Sequence, residues 1–478
     1  MKMIGREKEA DILNDLYHSG KAQLVAIYGR RRVGKTYLVD EVFQDRITFR
    51  HAGLSPVEED GNRMKKQLEH FYYSLVMQGM KAKAKPKDWL EAFFMLEQVL
   101  QEKDDGSRQL VFLDELPWMD TRKSGFLTAF EAFWNTFACH RHNLMVIVCG
   151  SSNSWILEKL INNHGGLYGR VTYQIHLLPF SLAETKAFFK DRDIILSDYD
   201  IVQSYMIFGG IPYYLGYFQK GLSLAQNVDE IIFKKNAPLR TEFDRLFASV
   251  FSSSEKMITL VKTIGGKRIG LTRDEISKQS GIVSGSNLTS YLSALIMSGF
   301  VEKYLPFRAK RGEEKYKLTD PFCLFSLKFL HEKNIDDEHF YEHSMQDAAI
   351  VSWRGLAFEN VCFQHIHEIK KALGISGVST RQSSWAIRES ETDKSGTQID
   401  MLIDRDDNIV NMCEIKYSTE EFVVTKSYDL ILRNRTALLS GQIPKRKAVH
   451  SILITTFGLR YNEYCGDFQK VITIEDLF

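Results

Sequence analysis

Eight consecutive residues, GRRRVGKT from Gly29 to Thr36, follow the spacing G-x-x-x-x-G-K-[ST]. Those residue types suit a chain of phosphates. Gly29 and Gly34 let the backbone aim its N–H groups at an anion, and a helix N-terminus directly behind favours negative charge. Lys35 is expected to contact the β- and γ-phosphates and the Thr36 hydroxyl to ligate Mg²⁺, with Arg30, Arg31, Arg32 and Val33 lining the cradle. A second element, LVFLDELPW, sets Asp114 at the end of an apolar run, placed to share the Mg²⁺, with Glu115 next to it to polarise an attacking water. An acidic pair at a strand end can also just cap the next helix; the loop upstream favours the chemical reading. A third run ends in CGSSN, whose Ser151, Ser152 and Asn153 are polar groups able to sense a γ-phosphate, although Ser and Asn are also ordinary loop residues.

A separate constellation lies in QIDMLIDRDDNIVNMCEIK, Gln398 to Lys416. Asp400 is on one expected strand, Asp406-Asp407-Asn408 forms a turn, and Glu414-Ile415-Lys416 ends the next strand. Residues two apart share a face, so Glu414 and Lys416 lie together and the hairpin brings Asp400 beside them. Two carboxylates suit a hard divalent cation, and Lys416 suits positioning of a water. The expected helix Trp353 to Phe363 offers Glu359 as a third carboxylate. A charged hairpin edge facing solvent would show the same residue types.

These residues need elements to position them. QLVAIY (Gln23 to Tyr28), LVFLDE (Leu110 to Glu115) and LMVIVCG (Leu144 to Gly150) are continuous apolar runs alternating with helical stretches such as Lys35 to Phe43. Strands buried on both faces need such runs, so the first half reads as a parallel α/β sheet. Ser181 and Glu184 are spaced as a capping box, and the chain reads as helical from there to about residue 245, a candidate lid. Ser254 to Ile264, Thr272 to Gln279 (opening on the capping pair Thr272 and Glu275) and Ser286 to Met297 read as three helices. A strand Val301 to Phe307, a basic turn (Arg308, Lys310, Arg311, Gly312) and a strand Lys315 to Leu318 follow. That order describes a winged helix, with Asn287, Ser290 and the wing cations as candidate contacts to DNA. Strands around Gln398 to Ile403, Ile409 to Lys416 and Ser451 to Thr456 make the last segment α/β again.

The expected order is therefore an α/β nucleotide-binding core over residues 1–178, a helical lid over 179–245, a winged helix over 246–335 and a second α/β domain over 345–478. A formal net charge of +1 in 478 residues leaves any nucleic-acid contact to local patches. Six cysteines with no CxxC pair argue against a disulfide scaffold or zinc site and suit a reducing cytoplasm. The opening MKMIGREKEADIL has no apolar signal-peptide core, and the longest apolar runs are strand-sized, so a cytoplasmic, membrane-free protein is expected.

IGREKE (Ile4 to Glu9), the phosphate loop, LDELPW, GSS, LYGR (Leu167 to Arg170) and GGIPYYL (Gly209 to Leu215) together resemble the prokaryotic, archaeal-type P-loop ATPases of the AAA+/STAND kind. The resemblance implies a P-loop NTPase parallel sheet with a helical lid, then a winged helix, then a restriction-endonuclease-like α/β domain. It implies ATP rather than GTP as the nucleotide. By motif, Arg170 would approach a γ-phosphate in a neighbouring copy, implying a homo-oligomer. Gly210, Ile211 and Pro212 would touch the adenine side, and Arg6 and Glu7 would lie near the base. Glu359, Asp400, Glu414 and Lys416 resemble the PD-(D/E)xK nuclease motif, without a proline before Asp400. Two functions fit: an ATP-regulated, Mg²⁺-dependent enzyme acting on DNA, or an ATP-driven switch or regulator whose nuclease-like domain only binds.

Overall fold

QLVAIY, the apolar run ahead of the glycine-rich loop, forms β1 (Gln23–Tyr28) in a computed structural model. The structure describes residues 3–478 apart from 56–61, 152, 163–164, 252, 332–335, 388–396 and 466. The chain divides into two units: Met1–Pro179 with Asp244–Ile258 and Thr289–Gly299, and Phe180–Phe243 with Thr259–Leu288 and Phe300–Phe478.

In the first unit β1 joins β2 (Phe49–Ala52), β3 (Gln109–Asp114), β4 (Leu144–Gly150) and β5 (Tyr173–His176) in the order β2-β3-β4-β1-β5. Every pairing is parallel. All strands therefore end on one edge, where an open α/β sheet presents its ligand site. β1 and β3 are buried up to their last residue and β4 throughout, which is why these three read as continuous apolar runs. The helix Trp89–Glu102, capped by the Asp88 carboxylate, covers the sheet with an aromatic pile in which Trp89, Phe93, Phe126 and Phe130 are fully buried. Offset and edge-on ring pairs such as Trp89–Phe126, at 4.8 Å, add directional preference to that burial.

The second unit begins with helix Leu182–Asp191, which opens on the reciprocal capping box of Ser181 and Glu184. Helices Asp198–Phe208 and Pro212–Leu215 follow. β6 (Leu271–Thr272), β7 (Val301–Tyr304) and β8 (Lys315–Leu318) form an antiparallel sheet in the order β6-β8-β7. Helix Arg273–Ser280, with the reciprocal Thr272 and Glu275 cap, belongs to this unit, whereas the residues of helices Ser254–Gly265 and Ser286–Met297 are divided between the two units. The strand expected to reach Phe307 stops at Tyr304. Phe307 instead joins an apolar cluster around Trp385, and its N–H donates to the Ser384 carbonyl at 3.3 Å.

A mixed sheet closes the chain: β9 (Thr380–Ile387), β10 (Thr397–Arg405), β11 (Ile409–Lys416), β13 (Ala448–Thr455) and β15 (Phe468–Ile472), in the order β15-β13-β11-β10-β9. β9, β10 and β11 are antiparallel neighbours, whereas β11, β13 and β15 run parallel. A short parallel pair, β12 (Phe422–Val423) with β14 (Leu459–Arg460), lies outside it. Among the described residues no helix is long and apolar enough to cross a membrane.

Candidate functional site

The loop between β1 and the helix Lys35–Phe43 is held by contacts that explain its glycines. A Cβ on Gly29 would lie 2.2 Å from the Leu177 carbonyl oxygen, so no larger residue fits. Gly34, the N-cap, has φ 93°, a left-handed conformation that side chains resist. Arg6, buried, donates to the Leu178 carbonyl at 2.6 Å and to the Val33 carbonyl at 3.4 Å, tying the N-terminal segment to the loop. Arg31 reaches the Ser249 carbonyl at 3.4 Å and lies 6.0 Å from the Trp118 ring. Arg30 is buried and Arg32 has φ 72°. Lys35 is buried too, its Nζ donating to the Gly29 and Arg30 carbonyls at 3.0 and 3.1 Å. Burial lowers the Lys35 pKa, an effect opposed by the carboxylates of Glu115 and Asp114.

The Thr36 hydroxyl donates to Asp114 Oδ2 at 2.8 Å. A hydroxyl and a carboxylate converging in this way, beside the lysine, are the oxygen donors that Mg²⁺ takes with a nucleotide, so these residues fit the ion. Glu115 sits in a left-handed conformation, φ 45°, and its backbone N–H donates to Asp114 Oδ1 at 2.9 Å. Strain of this kind is tolerated where surrounding contacts over-determine it. Those contacts are visible: the Glu115 carboxylate accepts from the Ser151 N–H at 3.1 Å and from its hydroxyl at 2.9 Å. β4 lies between β1 and β3, so its end brings Ser151 to Glu115. Ser152 and the side chain of Asn153 fall outside what the structure describes. Cys149, which the motif reading did not single out, is buried next to Lys35 and Asp114, and burial pushes its thiol up. Arg170 is exposed in a turn, its N–H bonded to the Leu167 carbonyl at 3.0 Å. In the second unit Pro212 opens its helix and the Gly210 carbonyl accepts from the Phe180 N–H at 2.6 Å.

The second unit brings the other constellation together. Asp400 sits at an irregularity where the β9–β10 register shifts between Ile399 and Leu402. Its Oδ2 accepts from the Ile415 N–H at 3.2 Å. Lys416 Nζ lies 3.9 Å from Asp400 Oδ2 and 3.7 Å from Glu414 Oε2. Glu414, fully buried, accepts from Tyr428 Oη at 2.7 Å and from Arg435 at 2.5 Å. Arg268, in the segment ahead of β6, bridges Glu359 and Asp400: its Nε is 3.1 Å from Glu359 Oε2 and a terminal nitrogen is 3.1 Å from Asp400 Oδ1. A second bond joins it to Glu359 Oε1. Burial raises the Glu359 pKa against the opposing Arg268 bond. Lys317 on β8 is half-buried, and desolvation lowers its pKa against the opposing charge of Glu359.

Motif reading anticipated none of Arg268, Arg435, Tyr428 and Lys317. Tyr428 and Arg435 are seven apart on helix Lys426–Gln442, a spacing that places both on one face, and this was the available signal. With Arg268 between Glu359 and Asp400, the carboxylates as arranged do not fit a divalent cation. Arg308 donates to Gln442 Oε1 at 2.9 Å, so it is engaged with the C-terminal helix, whereas Lys310 and Arg311 are exposed.

Residues 3–218 match the family described as an ATPase domain predominantly from Archaea, which supports ATP binding and hydrolysis by this segment. An uncharacterized protein of Methanocaldococcus jannaschii, MJECL04, is 27% identical over 398 residues, spanning 82% of this chain and 83% of that one. Among solved structures, the Walker-type ATPase paby2304 of Pyrococcus abyssi is 17% identical, with TM-score 0.46, covering 68% of this chain and 96% of that one. The Aeropyrum pernix ORC2 protein, in its ADPNP-ADP complexes, is 14% identical, with TM-score 0.43, covering 72% and 96%.

Proposed function

We propose that this protein is a Mg²⁺-dependent ATPase that couples its nucleotide state to DNA binding or metal-dependent DNA cleavage by the C-terminal domain. The observation that carries the ATPase part is the convergence of Lys35, Thr36, Asp114 and Glu115 on one edge of the sheet. Thr36 and Asp114 would hold the Mg²⁺, which when bound neutralises charge developing on the phosphates. Lys35 exchanges its loop carbonyls for the β- and γ-phosphate oxygens, Gly29 to Gly34 supply backbone N–H groups, and Glu115 accepts a proton from the attacking water. Ser151 holds the Glu115 carboxylate in place. Pro212, with Gly210 and Ile211, keeps the adenine-side role that the resemblance implies. Arg170, exposed, is available to the γ-phosphate of a neighbouring copy in a homo-oligomer. A cytoplasmic location belongs to the same reading.

The DNA-directed part rests on Asp400, Glu414 and Lys416 lying within one ion-pair network and on the exposed Lys310 and Arg311. A second reading, a non-nucleolytic switch, is favoured by Arg268, which holds two of the carboxylates. The test is the ATPase rate of wild type, Lys35→Ala and Glu115→Gln, with and without duplex DNA. Loss in both variants with acceleration of wild type by DNA supports the coupled reading. Hydrolysis unchanged by DNA favours the switch, and nucleotide binding without turnover in wild type overturns the enzyme reading.

A further inference from the structure

The acidic cluster of the C-terminal sheet leaves one buried carboxylate oxygen without a bond. Glu414 is fully buried, and while Oε2 takes Tyr428 and Arg435, Oε1 has no hydrogen-bond partner among the described residues. A buried oxygen in that state points to a water or an ion that completes it. Asp400, one-tenth exposed, is adjacent: Lys416 Nζ lies within 4 Å of both side chains. The other face of Asp400 is taken by Arg268, which holds Glu359 at the same time.

Charge explains why this matters. Glu359, Asp400 and Glu414 present three negative charges, and Arg268, Lys416 and Arg435 supply three positive ones within ion-pair distance. A divalent cation added to that set meets a balanced cluster, and like charge a few ångströms away repels it strongly where solvent is scarce. Arg268 is the least rooted of the three cations. Its side chain is about one-third exposed, against 17% for Arg435 and 29% for Lys416, and it comes from outside the C-terminal sheet. Lys416 belongs to β11 itself, and Arg435 lies on the helix that packs on that sheet.

We propose that Arg268 occupies the place of a divalent cation between Glu359 and Asp400, so that Arg268 and the metal exclude one another at this site. The site is thus closed while the segment ahead of β6 stays against the sheet, and it becomes a three-carboxylate cation site when Arg268 withdraws. This rests on the reading of the C-terminal domain as metal-dependent.

The experiment is a Mn²⁺ titration followed by electron paramagnetic resonance. It uses nucleotide-free full-length wild type, Arg268→Ala, Arg268→Gln, and each paired with Asp400→Asn. Binding that Asp400→Asn abolishes defines the site. The expected result is that both Arg268 variants bind Mn²⁺ there at least about tenfold more tightly than wild type, the effect of losing one charge-assisted contact. Mn²⁺ should also raise the melting temperature of these variants more than that of wild type, a readout independent of any cleavage. Equal Asp400-dependent affinity in wild type and variants overturns the exclusion and leaves the metal-dependent reading standing. No Asp400-dependent binding in any folded variant overturns both. Should Arg268→Ala not fold, Arg268→Gln, which keeps the aliphatic stem and a neutral hydrogen-bonding end, decides.

Discussion

Replacing Glu115 with Gln separates binding from chemistry, because the contacts that hold this side chain are known. The carboxylate accepts the Ser151 N–H at 3.1 Å and the Ser151 hydroxyl at 2.9 Å. Both bonds end on Oε2, so the amide oxygen of a glutamine of the same shape keeps them; only the hydroxyl's further contact, to Oε1 at 3.1 Å, falls on the amide nitrogen, which donates where the carboxylate accepted. The structural cost should stay near about 1 kcal/mol, the scale of one neutral hydrogen bond. The left-handed backbone at Glu115 is unchanged by the swap, since Gln meets the same strain. What is lost is the negative charge that accepts a proton from water, worth about 10²–10⁴-fold in rate for a positioned general base. The expected outcome is a steady-state ATPase rate down by about 10²–10⁴ with nucleotide affinity, read by fluorescent-nucleotide titration, changed by less than about threefold. A rate within tenfold of wild type, at equal affinity, would refute the assignment of Glu115 as the base and leave it as a brace for Ser151.

Lys35→Ala should weaken nucleotide binding by about 10–100-fold, the value of a charge-assisted contact of about 1.5–3 kcal/mol, measured by the same titration. Gly29→Ala, which sets a Cβ 2.2 Å from the Leu177 oxygen, should destabilise the first unit by about 2 kcal/mol or more, read as a lower urea midpoint. His51 is buried and its pKa falls from 6.5 to about 3, from burial first and then the neighbouring His70. The unfolded chain therefore binds the extra proton between these values and the folded chain does not, so stability is full above pH 6.5 and falls as pH drops toward 3. At pH 5 the loss should be about 2 kcal/mol, and His51→Gln should flatten that limb of the stability–pH curve. Arg435→Met leaves the buried Glu414 charge without its closest cation and should cost about 3–5 kcal/mol, with Glu414→Gln in the same chain restoring most of it in thermal melts.

Legibility followed the range of the interaction. β1 and β4 coincide with their apolar runs and β3 differs by one residue at each end, because both faces of these strands are buried and every residue says so. β2 and β5 were not read at all. FRHA and YQIH are four residues long, and their exposed Arg50, Tyr173, Gln174 and His176 break any continuous apolar signal. Strand order was equally hidden, since β4 enters between β1 and β3 through pairings more than 100 residues from β1. In the acidic cluster, Asp400, Glu414 and Lys416 could be placed from the period-two hairpin alone. Arg268 could not, being 91 residues from Glu359 and 132 from Asp400. The basic turn was legible from its Arg and Lys residues, whereas the end of the strand before it was not, because Phe307 leaves the strand and its ring packs against Trp385 at 6.3 Å.

The strand order also sets a timetable for synthesis. Among the described residues β1 pairs with β4 and β5, both of which follow it in the chain. The oxygen that crowds Gly29 belongs to Leu177, so the cradle is incomplete until that residue has left the ribosome. About 140 residues separate Thr36 from that point, roughly 7–28 s at ordinary elongation rates. Until residues 144–150 have been made, β1 has neither of these partners, and the loop follows an apolar strand that is still unpaired.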